Sequence, residues 1–206
     1  EDSLFQEARK LQREGRFDEA ISAYRNYLTG ATEEENLTDD QYATYTDALV
    51  QLMNTFQSKG EPVECISVLQ EVFMSSPLLQ DEFLRDFHSV MGYALSRTED
   101  MTKAEEVTLK ALTLPLHRAT PERYFRDYAY AAAVFYSNPE YQDEVIEWCH
   151  EALIQAKACR NTSGQQWVMS MLGNLYKRDG GLNGALELYQ QSLDDSRSRG
   201  DELGVL

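Results

Sequence analysis

Apolar residues recur along this chain three or four positions apart, and no stretch alternates with the period of two that marks a half-buried strand. Leu4, Ala8 and Leu11 begin one helical stripe; after Gly15, Phe17 and Ala20 lead into a second with Tyr24 and Tyr27. The same two-stripe pattern then returns. Leu49, Leu52, Met53 and Phe56 precede Cys65, Leu69 and Val72; His88, Met91, Gly92 and Leu95 precede Ala104, Thr108 and Ala111. Ala129, Ala132, Ala133 and Tyr136 precede Val145, Cys149 and Ala152, and Met169, Leu172, Gly173 and Tyr176 precede Ala185, Tyr189 and Leu193. Each set predicts two antiparallel helices. The punctuation agrees: Thr38-x-x-Gln41 and Ser163-x-x-Gln166 read as capping boxes. Thr120-Pro121-Glu122 orders a cap, a proline and an acid as a helix start requires. Gly15, Gly60 and Gly180 fall at the expected hairpin turns, and Asn138-Pro139 at another.

A small residue is needed where paired helices cross, because a bulky one holds their axes apart. Ala8, Gly92, Ala133 and Gly173 supply it in the first helices, and Ala20, Ala104 and Ala185 in the second. Aligned on Ala20, Cys65, Ala104, Val145 and Ala185, successive units lie 45, 39, 41 and 40 residues apart. The widest interval contains the acidic run Thr32-Glu33-Glu34-Glu35-Asn36, which reads as a loop insertion. One hairpin cannot bury its apolar face alone, so the units must stack.

Met169-x2-Leu172-Gly173-x2-Tyr176, followed by Ala185-x3-Tyr189, resembles the tetratricopeptide repeat, with Met169 where that family has tryptophan and Tyr189 where it has phenylalanine. The resemblance implies an all-α fold, a right-handed solenoid or α-α superhelix of antiparallel helix pairs. A single repeat domain over 1–206 is expected, with five repeats near 2–30, 40–75, 80–114, 121–160 and 164–199, and the start of a sixth at 200–206. The intervals exceed the family's usual ~34 residues. Long repeats are similar to those in bacterial signalling and transcription regulators, which implies an interaction or sensor module in a longer chain, with a further domain after Leu206. The alternative is a stand-alone scaffold or assembly factor.

In this family the first helices line the concave surface. Projecting the helical period onto them gives a peptide-binding groove of Phe5, Arg9, Val50, Asn54, Ser89 and Tyr93, continued by Tyr130, Val134, Trp167, Ser170, Asn174 and Lys177. Tyr93, Tyr130 and Trp167 form either an aromatic binding line or packing between helices. Asp2, Asp47, Asp86 and Asp127 recur near the starts of four first helices. They read as an acidic rim for a basic peptide or, in preference, as acids placed for the helix dipole. Some tetratricopeptide co-chaperones grip a carboxyl terminus with lysine, asparagine and arginine. Phe5, Arg9, Asp86 and Val90 stand at those places here and do not supply that clamp.

Charge narrows the partners. The chain has 35 acidic and 19 basic residues, a net charge of −16, which disfavours nucleic acid and anionic membrane surfaces as partners. No apolar run approaches the ~20 residues of a membrane span. A protein or peptide partner is therefore expected, with no cofactor and no metal. Compartment stays open, with a lean to a bacterial periplasmic setting and a cytoplasmic alternative, because the helical pattern begins so abruptly. Cys65, Cys149 and Cys159 match no zinc or redox spacing. His88, His117 and His150 form no paired metal motif, and His88 falls on a packing face. His150 follows Cys149 directly, so the two cannot face each other on one helix. Asn36-Leu37-Thr38 and Asn161-Thr162-Ser163 match the glycosylation sequon. No residue set satisfies the geometry of a catalytic site, and no enzymatic activity is expected.

Overall fold

The computed structural model describes residues 3–30, 37–80 and 83–178, together with Gly180, Gly181, Gly184, Leu186, Glu187 and Gln190. All regular structure among the described residues is helical. The chain divides into two compact units, residues 1–118 and 119–206.

The first unit contains α1 (Ser3–Arg13), α2 (Phe17–Gly30), α3 (Asp39–Lys59), α4 (Pro62–Ser75), the one-turn α5 (Pro77–Gln80), α6 (Leu84–Leu95) and α7 (Met101–Thr113). Helices pair as α1 with α2, α3 with α4, and α6 with α7. Consecutive pairs stack, α2 against α3 and α4 against α6, and the first helices α1, α3 and α6 touch in turn. The second unit contains α8 (Pro121–Phe135), a 3-10 turn (Pro139–Tyr141), α9 (Gln142–Ala158) and α10 (Thr162–Arg178). Here α8 pairs with α9, and α10 packs on α9 while touching α8.

The repeat register is visible in the second helices. Ala20, Cys65, Ala104 and Val145 are each the fourth residue of their helix, and all are buried. Ala185, Tyr189, Ser192 and Leu193 of the fifth unit lie outside the described residues, as do Asp2, the acidic run Thr32–Asn36 and residues 200–206. Within the longest interval α3 extends over 21 residues, the longest helix among those described. The next interval accommodates α5 between α4 and α6.

Local chemistry sets the helix ends. The Thr38 side chain accepts from the Gln41 amide at 3.2 Å while the Gln41 side chain accepts from the Thr38 amide at 2.8 Å, so the first capping box forms. Thr120 caps α8, with Pro121 opening the helix. The second expected box is displaced: Asn161 Oδ1 accepts from the Gly164 amide at 2.9 Å, so the cap of α10 is Asn161 rather than Ser163. The asparagine carbonyl reaches the orphan donors of a first turn as well as a serine hydroxyl does. Gly15, Gly60 and Gly180 have φ of +74°, +77° and +75°, the left-handed turn in which a side chain is strained.

One buried hydroxyl ties three helices together. Tyr45 of α3 donates to the Leu28 carbonyl at the end of α2 at 2.9 Å and lies 2.6 Å from the Ser76 hydroxyl just past α4. With the tyrosine proton directed at Leu28, Ser76 is the donor in the second bond. Burial pushes the Tyr45 hydroxyl up to about 12, and the Ser76 bond opposes that rise. Phe83 packs beside the Tyr45 ring at 4.5 Å and stacks on Tyr42 at 4.1 Å, filling the space beneath α3.

Candidate peptide-binding surfaces

In the first unit, α1 and α3 enclose an open cleft of about 840 Å³. Its walls are Phe5, Gln6 and Arg9 from α1 and Asp40, Thr44 and Asp47 from α3. The acids and Thr44 share one stripe of α3 because their spacings of four and three keep them on one helical face. Phe5 is buried and forms the floor, while Arg9 is exposed and its guanidinium lies 5.7 Å from the Phe5 ring. The cleft thus offers one cation, two carboxylates and an aromatic floor, a mixture suited to a polar polypeptide segment.

Behind the cleft runs a directed hydrogen-bond chain. The Tyr24 hydroxyl donates to Gln12 Oε1 at 2.7 Å, Gln12 Nε2 donates to Gln51 Oε1 at 3.3 Å, and Gln51 Nε2 donates to Asp47 Oδ1 at 3.1 Å. It links α2, α1 and α3 and fixes the Asp47 carboxylate at the cleft wall. Burial, then the Asp47 charge, pushes the Tyr24 hydroxyl up to about 12, so it remains a donor at neutral pH. Gln12, Gln51 and Tyr24 were not singled out from the sequence. Two glutamines on otherwise apolar helix faces are the signal that could have found them.

The remaining groove residues of the first unit differ in exposure. Val50 and Asn54 continue the α3 stripe and are half-buried. Ser89 is buried in α6 and Tyr93 is half-buried, its hydroxyl held above the ordinary tyrosine value by burial. In the second unit, Tyr130 is only 8% exposed, and its ring meets the half-buried Trp167 edge to face at 6.3 Å. That contact joins α8 to α10. Val134 is buried, whereas Ser170, Asn174 and Lys177 stand exposed on a single stripe of α10.

Among the described residues, Asp47, Asp86 and Asp127 do not form an exposed acidic rim. Asp86 and Asp127 are buried, and Asp47 is half-buried with Gln51 bonded to it. Only Asp86 lies in a first turn, so the helix dipole accounts for that residue alone among Asp47, Asp86 and Asp127. Long first helices place the equivalent positions in α3 and α8 further from the N-terminus. Val90 is buried as well, so its position in α6 presents no surface for a carboxylate.

His88, Cys65 and Cys149 are packing residues. His88 is buried, with Nδ1 at 2.8 Å from the Leu84 carbonyl, and desolvation holds its pKa below the ordinary value. Burial pushes the thiols of Cys65 and Cys149 up to about 12, far from a nucleophilic thiolate. His150 Nε2 lies 3.1 Å from the Tyr176 hydroxyl. Among the described residues no group of His, Cys, Asp and Glu is arranged to hold a metal ion, and no helix is long and apolar enough to cross a membrane.

Stacked helix pairs in this register define an all-α, tetratricopeptide-like repeat fold. Solved structures share it. The chain is similar to MamA, at 18% identity and a TM-score of 0.55, covering 94% of this chain and 96% of that one. It is also similar to the nearly identical TPR-like repeats of a Podosopora anserina protein described as a kinesin light chain, at 17% identity and a TM-score of 0.59, covering 95% of each chain. A single-substitution variant of those repeats gives 16% identity and a TM-score of 0.62, covering 96% of this chain and 95% of that one. No protein-family model and no curated protein matches the sequence.

Proposed function

We propose that this chain is a protein-interaction module that binds a peptide or protein segment on its first helices. The observation that carries this reading is the α1–α3 cleft, where Arg9, Asp40 and Asp47 present both signs of charge over the Phe5 ring. The exposed Ser170, Asn174 and Lys177 stripe of α10 supplies a second stretch of the same kind. The fold supports the reading because stacked helix pairs create extended binding surfaces. We assign the module no catalysis of its own, and place it in a larger bacterial regulatory or signal-transduction protein, as its long repeats suggest. The five-repeat, single-domain partition belongs to the same proposal.

A displayed peptide library selected on the whole chain tests this. Selected peptides are then titrated against Arg9→Glu with Asp40→Lys, and separately against Asn174→Ala with Lys177→Glu. Affinity falling about tenfold or more, with thermal melting unchanged, supports the assignment of that surface. Affinity unchanged in both variants sinks the first-helix assignment.

A further inference from the structure

The α1–α3 cleft has an electrical axis as well as an aromatic floor. Gln12 Nε2 of α1 meets Gln51 Oε1 of α3 at 3.3 Å, and two reversals of the chain separate these helices, so they run in the same direction. Counting back from that contact brings Arg9 level with Asp47 and Ala48. The Tyr24 hydroxyl behind the cleft, raised mainly by burial, also feels the charges of Asp47, Arg9 and Arg13, which places all three at this level. Asp40 lies seven residues before Asp47, two turns or about 10 Å nearer the start of α3.

The two ends differ in sign. At the start of α3 the exposed Asp40 lines the cleft, while Asp39 beside it is paired with Arg118 at 3.2 Å. By sequence, Glu1 and Asp2 precede α1 and Glu33-Glu34-Glu35 precede α3, all with the sign of Asp40. At the other end, exposed Arg9 is followed one turn on by exposed Arg13, whose Nε donates to the Arg9 carbonyl at 3.3 Å. The two cations outweigh Asp47, which is half-buried and already accepts from Gln51 at 3.1 Å. The remaining charges of α1 do not alter this. Lys10 lies 3.9 Å from Glu14, and Glu7, two residues from Arg9, does not share its face. Among the described residues, neither the Arg9 guanidinium nor the Asp40 carboxylate has an ion-pair partner. Both charges are therefore open to an occupant.

We propose, resting on the reading of this cleft as a peptide site, that its occupant is an extended segment carrying both signs of charge, with a lysine or arginine beside Asp40 and an aspartate or glutamate beside Arg9 and Arg13. A segment of one sign gains at one end and is repelled at the other. An extended chain rises ~3.1–3.4 Å per residue, so three residues span the distance between the two ends. A polyproline-type chain also returns its side chains to one face every third residue, so a base and an acid three apart both face the cleft.

The test uses the full chain and three fluorescein-labelled peptides on one proline-rich frame. At two positions three apart they carry lysine and glutamate, two lysines, or two glutamates. Fluorescence anisotropy at low salt is expected to show the mixed peptide bound tightest, by roughly fivefold, as suits a few exposed ion pairs. Arg9→Glu should move the preference to the two-lysine peptide and Asp40→Lys to the two-glutamate peptide, with thermal melting unchanged in both. A one-signed peptide bound by the unaltered chain as tightly as the mixed one overturns the proposal. So does a preference that neither variant moves, or failure of all three peptides to bind. Library-selected peptides that lose affinity in the Arg9→Glu, Asp40→Lys pair would keep the cleft as a peptide site after any of these failures. Selected peptides indifferent to that pair would sink the cleft itself.

Discussion

The α3–α4 and α6–α7 hairpins are built from the same repeat, yet the first is open and the second closed. Gly92 lies twelve residues before Ala104, and Met53 lies twelve residues before Cys65, so the two occupy the same place in α6 and α3. At Gly92 a Cβ would sit 2.2 Å from Thr108 Oγ1, 3.2 Å from the Thr108 nitrogen and 3.3 Å from the Ala104 carbonyl. The backbones of α6 and α7 therefore meet. Met53 is fully buried, with Cys65 and Leu69 where the closed hairpin has Ala104 and Thr108, and α3 and α4 lie further apart. One position tunes the spacing of a hairpin, and the opened one takes the fully buried Met53.

Four measurements break or sharpen this comparison. Met53→Ala is expected to destabilise the chain by about 2–5 kcal/mol in urea unfolding, because α3 and α4 cannot close over the lost volume. A cost below that of an exposed methionine would show that the spacing is set elsewhere. Gly92→Ala is expected to cost about 1–3 kcal/mol by overpacking. Thr108→Ala should recover part of it, since that removes the nearest atom, a buried hydroxyl with no hydrogen-bond partner among the described residues. Thr38→Ala is expected to cost ~1 kcal/mol, because it dismantles the capping box of α3. The first residue before α6, Phe83, makes no side-chain cap, so its helix owes nothing to such a bond.

The smallest effect concerns pH and the closed hairpin. His88 has a folded pKa lowered first by burial, against a bond from Nδ1 to the Leu84 carbonyl that raises it. The unfolded chain therefore takes up a proton that the folded chain refuses. Stability is full above the ordinary histidine value of about 6.5 and is lost as pH falls below it. In melting curves compared across that range, His88→Gln should remove this component and flatten the dependence. An identical slope in both proteins would show that His88 does not report on the packing of α6.

The repeat fold was legible because small crossing residues recur in sequence, and Ala20, Cys65, Ala104 and Val145 occupy the fourth place of their helices as the alignment required. The capping box at Thr38 was legible for the same reason: its two bonds are local. Asn161 was missed because three successive cap-forming residues, Asn161, Thr162 and Ser163, leave the start of a helix ambiguous. The candidate surfaces were less legible. Helical projection finds a face but not what covers it, so Ser89 and Val134 fall on first-helix faces and yet are buried. The Tyr24–Gln12–Gln51–Asp47 chain spans three helices, and no local spacing announces it.

The Tyr45 hydroxyl makes the boundary between the first two repeats unusually stiff in thermodynamic language. In a linear array, each repeat can fray unless its neighbour-coupling energy exceeds its own deficit. Tyr45 adds to that coupling a bond shared by the ends of α2 and α4. Breaking it strands the Leu28 carbonyl and the Ser76 hydroxyl together. The first and second repeats are therefore expected to melt as one cooperative block, with their slowest-exchanging amides giving a single opening free energy in hydrogen exchange.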